Sequence, residues 1–315
     1  MSTLDFKAAN NTLKSLSYKE LKRLRHHLEE LISANHTEHA LANREEKISR
    51  CCHCWCSSII RYGTTAKGHQ RFKCSQCKKT FSTLTKTALS GMKLQDKWQQ
   101  YSEGMWHTLK LRDAAKKFKI NLKTAWKWRH KLLNKPMKNR QRLLAGIVEA
   151  DETFIPESFK GNRKTMARKS RKRGGGRAEV PVFIALDRQG HVVHQVLDAN
   201  TKIELKSVIQ KVLAPESVFC TDGNISYKSI AQELPYSVEH KRLIRLDNET
   251  VKDGIYHIQT INNWIMRWKS WMVQFCGVGT AYLENYLAWF REIDHQKGVE
   301  QSWVDYALMT NGTNT

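Results

Sequence analysis

Three carboxylates stand in GIVEADETFI, residues 146–155, which is one of the most apolar runs of a basic chain. Read as a strand, this run puts Glu149 and Asp151 on one face and Glu152 on the other. Another isolated acid, Asp222, ends a second apolar run, SVFCTDG. Carboxylates at strand ends are typical ligands of Mg²⁺ or Mn²⁺, and two such ions about 4 Å apart serve phosphodiester chemistry. Taken singly, each acid is better explained as the cap of a turn or strand end.

The segment HIQTINNWIMRWKSW, which begins at residue 257, adds two further polar groups. Asn262 and Lys269 are seven residues apart, about two helical turns, so they project from one face of a helix. An amide oxygen can ligate Mg²⁺, and a lysine can hold a phosphate as a point charge. An ordinary polar helix face is the alternative. In combination with the acids, this segment indicates a metal-dependent site for phosphate chemistry.

Six of the eight cysteines fall between residues 51 and 77, and four of these six form two Cys-x-x-Cys pairs. Four thiolates with this spacing are typical of a structural zinc site. The predicted zinc ligands are Cys51, Cys54, Cys74 and Cys77. Cys52 and Cys56 are alternative ligands in the first pair, which we assign by its match to the spacing of the second.

The stretch LRDAAKKFKINLKTAWKWRHKLL resembles a helix-turn-helix with a basic second helix. Such a helix can enter the major groove of DNA. The predicted DNA contacts on it are Lys123, Lys127, Arg129 and Lys131. Trp126 and Trp128 cannot both face the core on one helix, so we expect one to be buried and the other to lie at the surface.

The chain carries 53 Lys and Arg against 30 Asp and Glu, a formal net charge of +23, which favours a polyanionic partner and above all nucleic acid. Residues 158–178 hold nine basic residues and no acid. This segment is predicted to be a surface loop that contacts the phosphate backbone through Arg171, Lys172 and Arg173, and a solvated linker is the alternative. No apolar run reaches the roughly 20 residues of a spanning helix, so we expect no membrane partner and a cytoplasmic, nucleoid-associated protein.

The pattern of elements predicts a multidomain α+β chain. SYKE and leucines at helical spacing predict a helix over residues 17–48, for packing or for dimerisation. Four strands with alternating helices predict a mixed sheet, followed by a long helix from about Thr260 to Asp294. The predicted domains are an N-terminal helical segment (1–48), a zinc ribbon (49–85), a helix-turn-helix (90–135), a catalytic α/β domain (145–295) and a tail (296–315).

The order of zinc ribbon, helix-turn-helix, EADET, basic loop, TDG and HIQTINNWIMRWK resembles the zinc-ribbon insertion-sequence transposases of bacteria and archaea, over about residues 48–295. The resemblance implies an RNase H-like catalytic domain whose third metal ligand is Glu or, in some branches, Asn followed by a Lys seven residues later. It makes Asp151, Asp222 and Asn262 the ligands of catalytic Mg²⁺ or Mn²⁺ and Lys269 the following lysine. His257 falls in the same motif and is expected to touch DNA or the metal site.

By this resemblance the protein binds the terminal inverted repeats of its element, cleaves the strands and joins them to target DNA as a homodimer or larger assembly. Structural Zn²⁺ belongs to the ribbon. Glu149 and Glu152 are interpreted as accessory, and Glu284 ranks below Asn262 as the third ligand. The alternatives are a catalytically decayed DNA-binding regulator and another RNase H-like nuclease.

Overall fold

The computed structural model describes residues 3–138, 143–160, 178–244, 251–295 and 307–308. The chain divides into two compact units. One comprises Met1–Leu132 and is joined by Ala307 and Leu308, and the other comprises Leu133–Val299. The boundary between the units lies within the segment predicted as a helix-turn-helix (90–135), and the segment predicted as a catalytic domain (145–295) lies in the second unit.

The first unit begins with helices α1 (Thr3–Lys14) and α2 (Tyr18–Glu46). The predicted capping box is present at the start of α2, where the Ser17 N–H donates to Glu20 Oε2 at 2.9 Å. The C-terminal half of α2 packs on α3 (Trp98–Trp106). In the N-terminal half an apolar stripe stays exposed, and it comprises Leu21, Leu28, Leu31 and Ile32.

The predicted zinc-ribbon segment forms a small antiparallel sheet of β1 (Ile59–Thr64), β2 (Gln70–Cys74) and β3 (Thr80–Ser82). Its apolar core is little more than the stacked rings of Phe72 and Phe81, whose centroids lie 5.5 Å apart, together with the neighbouring cysteines. A core of this size cannot hold a sheet by burial alone, so the segment needs a further crosslink.

Helices α4 (Leu111–Lys117) and α5 (Leu122–Lys138) follow α3 and form the predicted helical pair. Trp128 on α5 is 3% exposed and packs edge-on against Tyr101, whereas Trp126 is 37% exposed. The expectation that one tryptophan is buried and the other lies at the surface is confirmed.

The second unit is built on a five-stranded mixed sheet with the order β6-β5-β4-β7-β8. Its strands are β4 (Ile147–Pro156), β5 (Glu179–Asp187), β6 (Val192–Val196), β7 (Val218–Thr221) and β8 (Glu239–Arg242). The central strand, β4, runs antiparallel to β5 and parallel to β7. This arrangement confirms the predicted mixed sheet, and β8 is a strand that the sequence pattern did not indicate.

Helices cover both faces of this sheet. Helices α6 (Lys202–Val212) and α7 (Ile225–Gln232) pack on one face, and α8 (Gln259–Val273) and α9 (Leu283–His295) pack on the other. The predicted single helix from Thr260 to Asp294 is wrong, because the backbone turns left-handed at Cys276 (φ 53°) and Gly277 (φ 92°) and separates α8 from α9. Among the described residues, no helix combines the length and the apolar character that crossing a bilayer demands.

Candidate active site

The two predicted catalytic acids lie on neighbouring parallel strands. Ala150 of β4 stands opposite Thr221 of β7, so the next residues along the two strands are Asp151 and Asp222. Adjacent strands are about 4.8 Å apart, so Asp151, midway along β4, lies beside the end of β7, which Asp222 directly follows. Each also has a local role: Asp151 Oδ1 accepts from the Glu152 N–H at 2.8 Å, and Asp222 Oδ1 accepts a backbone N–H of the following turn at 3.0 Å.

The pKa of Glu152 depends on its burial and on the charges of the two nearby aspartates. Burial raises the pKa of its carboxyl to about 7, and the charges of Asp151 and Asp222 add to the shift. Its side chain lies on the opposite sheet face from Asp151, where it accepts a hydrogen bond from the buried Tyr227 hydroxyl. Carboxylate oxygens are the donors that a divalent cation prefers, so the residues present fit Mg²⁺ or Mn²⁺.

Asn262 lies in the first turn of α8 and is half-buried, and Lys269 lies two turns later and is exposed. The start of α8 is tied to β4 beside the acids, because the Ile261 N–H donates to Glu149 Oε2 at 2.9 Å. Glu149 and Asp151 share the sheet face that α8 covers. The start of α8, which carries Asn262, is thus anchored to Glu149, two residues before Asp151 on β4.

Arg188, which sequence reasoning missed, lies directly after β5 and joins this anchor. Its guanidinium is 3.0 Å from Glu149 Oε1 and 3.1 Å from His257 Nε2, and it donates to the Ile255 carbonyl at 3.1 Å. His257 Nδ1 lies 3.4 Å from Glu149 Oε1. His257 therefore contacts the residues that anchor α8. Arg188 stands in a short hairpin, DRQGH, with no chemical motif that would have marked it.

The turn that carries Asp222 is held by β8. His240 Nε2 lies 2.8 Å from Thr221 Oγ1, and Arg242 Nε donates to the Gly223 carbonyl at 2.8 Å. Burial, with the nearby charges of Arg242 and Lys252, lowers the pKa of His240 to about 4. The neutral imidazole is therefore the form that the folded protein favours.

This shift predicts a loss of stability in acid. Because the folded pKa of His240 is below its ordinary value of about 6.5, the unfolded chain binds the proton more readily, and stability present above pH 6.5 is lost as pH falls toward 4. We expect about 1–3 kcal/mol of unfolding free energy to be lost through this residue. Urea unfolding from pH 7.5 to 4.5 should show a shallower decline for His240→Gln. The exposed His27→Gln is the control, and equal declines in the native protein and His240→Gln would contradict the assignment.

The predicted zinc ligands come together in the ribbon. Within the described ranges, Cys51, Cys54, Cys74 and Cys77 are the group of His, Cys, Asp or Glu side chains whose ligand atoms lie within 4.8 Å of one another. The distances are 3.7 Å between the sulfurs of Cys51 and Cys77 and 3.6 Å between those of Cys54 and Cys74. A zinc tetrahedron with bonds of about 2.3 Å has edges of about 3.8 Å. The alternative ligands, Cys52 and Cys56, lie outside this group.

The basic helix α5 presents only part of its predicted DNA contacts. Lys123 and Lys127 are exposed, and Lys131 is half-buried, with its ammonium donating to the Ser90 carbonyl. Arg129 is a correction: it is 1% exposed and donates to the Leu109 carbonyl between α3 and α4, so it is a core residue. Arg171, Lys172 and Arg173 lie outside the described residues.

Arg129 and Lys127 offer a matched pair for this distinction. Arg129→Ala should lower the free energy of unfolding by about 2–4 kcal/mol, because it removes a buried side chain and the donor for Leu109. Lys127→Ala should change stability by less than about 0.5 kcal/mol. Chemical denaturation followed by tryptophan fluorescence measures both. If both substitutions changed the free energy of unfolding equally, the assignment of Arg129 as a core residue would be contradicted.

Glu284, the weaker candidate for the third metal ligand, lies at the far edge of the sheet. Its Oε1 accepts from the Val196 N–H at 2.7 Å, and its Oε2 is 3.4 Å from His194 Nδ1. Both contacts are on β6, and β5 and β4 separate β6 from the strand that ends at Asp222. Glu284 holds α9 to the edge strand and does not join the acids.

The chain was compared with models of protein families, with curated proteins and with solved structures. Residues 143–291 match the family model of the ISXO2-like transposase domain. Among solved structures, the chain is similar to the Mos1 transposase paired-end complex with left transposon end, at 10% identity and a TM-score of 0.21, covering 63% of this chain and 76% of that one. It is also similar to the Mos1 Strand Transfer Complex, at 10% identity and a TM-score of 0.22, covering 62% and 75%. At such TM-scores these likenesses carry no weight for fold or function. No curated protein matches the chain.

Proposed function

We propose that the protein is the transposase of an insertion sequence, with an RNase H-like catalytic core, because residues 143–291 match the family model of the ISXO2-like transposase domain. It binds the terminal inverted repeats of its element, cuts the DNA strands there and joins them to target DNA. The observation that carries the proposal is the pairing of Asp151 with Asp222 on adjacent parallel strands, beside the anchored start of α8.

Asp151, Asp222 and the Asn262 amide oxygen would hold the catalytic Mg²⁺ or Mn²⁺. When bound, such ions activate the attacking oxygen and stabilise the leaving oxygen of a phosphodiester. An asparagine ligand leaves the site one charge less negative than a third carboxylate would. The two aspartates therefore supply the formal negative charge among these three ligands.

The reaction has two in-line displacements at phosphorus. Water first attacks a phosphodiester at the end of the element, and the P–O3′ bond breaks to leave a 3′-hydroxyl. This hydroxyl then attacks a phosphodiester of the target, forming a new P–O bond while a target 3′-oxygen leaves. Lys269, exposed on α8, would hold a phosphate of the substrate strand as a point charge. No covalent protein intermediate is required, and positioning of the strands supplies much of the acceleration.

Recognition of DNA is assigned to the first unit and to the basic segment of the second. Lys123, Lys127 and Lys131 on α5 would contact the ends of the element, as would the zinc ribbon once Zn²⁺ is bound. The basic segment that contains Arg171 to Arg173 would hold the phosphate backbone near the catalytic core. Two ends must be processed together, so the active form is proposed to be a dimer or larger assembly on DNA.

An in vitro strand-transfer assay tests the proposal. The purified protein is incubated with Mg²⁺ or Mn²⁺, a labelled duplex that carries the ends of the element, and a supercoiled target plasmid. We expect joined products whose junctions lie at the end of the element. Cut ends without joining would favour another nuclease, and tight end binding without cutting would favour a decayed regulator; either result overturns the proposed function.

A further inference from the structure

We propose that Glu149 and Lys160 are positioning residues that clamp the two ends of α8 and thereby fix Asn262 and Lys269 beside the catalytic aspartates. Glu149 lies on β4, the strand that carries Asp151, and Lys160 lies four residues past the end of that strand. The role toward Asn262 rests on the proposed function, whereas the clamp itself is a property of the fold.

Glu149 closes the N-terminal end of α8. Its side chain is 0% exposed, and its Oε2 accepts the Ile261 N–H at 2.9 Å. Helix N-termini expose N–H groups that need acceptors, and Ile258 at the cap position provides no side-chain bond. The acceptor therefore comes from another element, and its negative charge also complements the positive end of the helix dipole.

The buried charge of Glu149 is compensated by groups that lead into α8. Arg188 and His257 lie 3.0 Å and 3.4 Å from its Oε1. Arg188 also contacts Thr260 Oγ1 at 3.3 Å and the Ile255 carbonyl at 3.1 Å. The Glu149 carboxylate is thus the centre of a cluster that holds both the segment before α8, at Ile255 and His257, and the first turn of the helix, at Thr260.

Lys160 closes the opposite end. Its ammonium donates to the carbonyl oxygens of Phe275, Cys276 and Gly277 at 3.2, 3.0 and 2.8 Å, respectively. These carbonyls lie one to three residues past Gln274, the C-cap of α8, so the ammonium holds the turn that leaves the helix, at the end where the helix dipole is negative. Ser158 and Thr280 add two further bonds, of 2.9 Å and 2.8 Å, between the same two chain segments.

The charges therefore match the polarity of the helix at both ends: an acid at its N-terminus and a base at its C-terminus. A shift of α8 along β4 by one turn, about 5.4 Å, would break both sets of bonds. Asn262 follows the residue whose N–H Glu149 holds, so the register of the clamp sets the position of the amide relative to Asp151. This arrangement gives Glu149 a defined purpose and corrects its interpretation as merely accessory.

Hydrogen–deuterium exchange of the full-length protein tests the clamp without metal or substrate. Glu149→Ala should raise exchange in the first turn of α8, around residues 261–264, and Lys160→Met should raise it in the last turn. Leu186→Ala is the control, because Leu186 stands directly opposite Glu149 on β5 and lies in the core beneath α8. Uniformly faster exchange along α8 in all three variants would reduce Glu149 and Lys160 to ordinary packing residues and overturn the proposal.

Manganese binding, measured by electron paramagnetic resonance, tests the consequence for the site. Groups that orient metal ligands typically change affinity about 10–100-fold, so Glu149→Ala should weaken Mn²⁺ binding at least about tenfold. If Glu149 acts through Asn262, the double variant with Asn262→Ala should bind no more weakly than Asn262→Ala alone. Should Glu149→Ala fail to fold, Glu149→Gln keeps an acceptor for Ile261 and should give a smaller loss in the same direction.

The outcomes separate the clamp from the proposed function. If Asp151→Ala leaves Mn²⁺ binding unchanged, the metal site itself fails while the exchange results still judge the clamp. If Asp151→Ala abolishes binding but Glu149→Ala lowers only the melting temperature, the positioning role is overturned. Independent, additive losses from Glu149→Ala and Asn262→Ala would also contradict it.

Discussion

Asp151→Asn is expected to abolish both strand cleavage and strand transfer, with a loss of about 10³-fold or more, or about 4 kcal/mol of transition-state stabilisation. The substitution keeps the shape of the side chain but removes one of the two formal charges that Asp151 and Asp222 would contribute among the proposed metal ligands. The measurement is the yield of cut and joined product at saturating Mg²⁺. The zinc content should be unchanged because the four cysteines lie in the first unit, and binding of the element's ends should be unchanged because the proposed end contacts on α5 lie there too.

Asp222→Asn should reproduce this loss, since the two acids end up side by side on neighbouring strands. Glu216→Gln is the matched control, because it removes an exposed carboxylate of the same unit from the turn before β7. If Asp151→Asn cleaved DNA at a near-native rate, Asp151 would not be a ligand of the catalytic metal. Partial rescue of Asp151→Asn by Mn²⁺ would instead support metal binding at this position, because Mn²⁺ binds nitrogen and amide donors more readily than Mg²⁺ does.

The pairing of Asp151 with Asp222 could be predicted because it follows from local patterns. Strand periodicity separates the faces of β4, and a short apolar run that ends in an acid predicts a strand end. The seven-residue interval between Asn262 and Lys269 likewise follows from helix geometry alone. These patterns depend on residues near one another in sequence, so they can be recognised without knowledge of the tertiary structure.

The clamp on α8 could not be predicted in this way. Lys160 reaches carbonyls more than 100 residues away, and its position in a basic stretch makes it resemble a phosphate contact. The burial of Arg129 could not be predicted for the same reason. A charged residue on a basic helix is expected to be exposed, but the carbonyl that it contacts belongs to Leu109 on a different segment. Residues whose role is to cap a distant backbone have no motif of their own.

The three carboxylates of the apolar run illustrate both cases. The chemistry of its side chain predicts a role for Asp151 from the sequence, whereas the sequence does not indicate the partners of Glu149 and Glu152, because each partner lies on a helix distant in sequence. Glu149 caps α8 on one face of the sheet, and Glu152 accepts the Tyr227 hydroxyl on the other. Glu149 and Glu152 therefore each have a specific partner, so neither needs a metal ion to explain its place in the apolar run.

Cys74→Ser is expected to release the zinc and to unfold the ribbon. Backbone N–H groups, with Cys77 the first of them, hold the pKa of the Cys74 thiol below its ordinary value, at about 6, which favours the thiolate that zinc binds. Structural zinc contributes on the order of 10 kcal/mol to the folding of comparable small domains. The ribbon core of Phe72 and Phe81 is too small to compensate for such a loss.

The measurement is zinc per chain, by mass spectrometry of the metal after gel filtration, with limited proteolysis as the report on ribbon folding. We expect a stoichiometry near one in the native protein and near zero in Cys74→Ser, together with rapid cleavage in the ribbon and weaker binding of the element's ends. Cys56→Ser is the matched control, because Cys56 lies in the same loop but outside the cluster of four sulfurs. Full zinc in Cys74→Ser and lost zinc in Cys56→Ser would reverse the ligand assignment. Mn²⁺ binding should be equal in both variants, since Asp151 and Asp222, the proposed metal ligands, lie in the other unit on or next to paired strands.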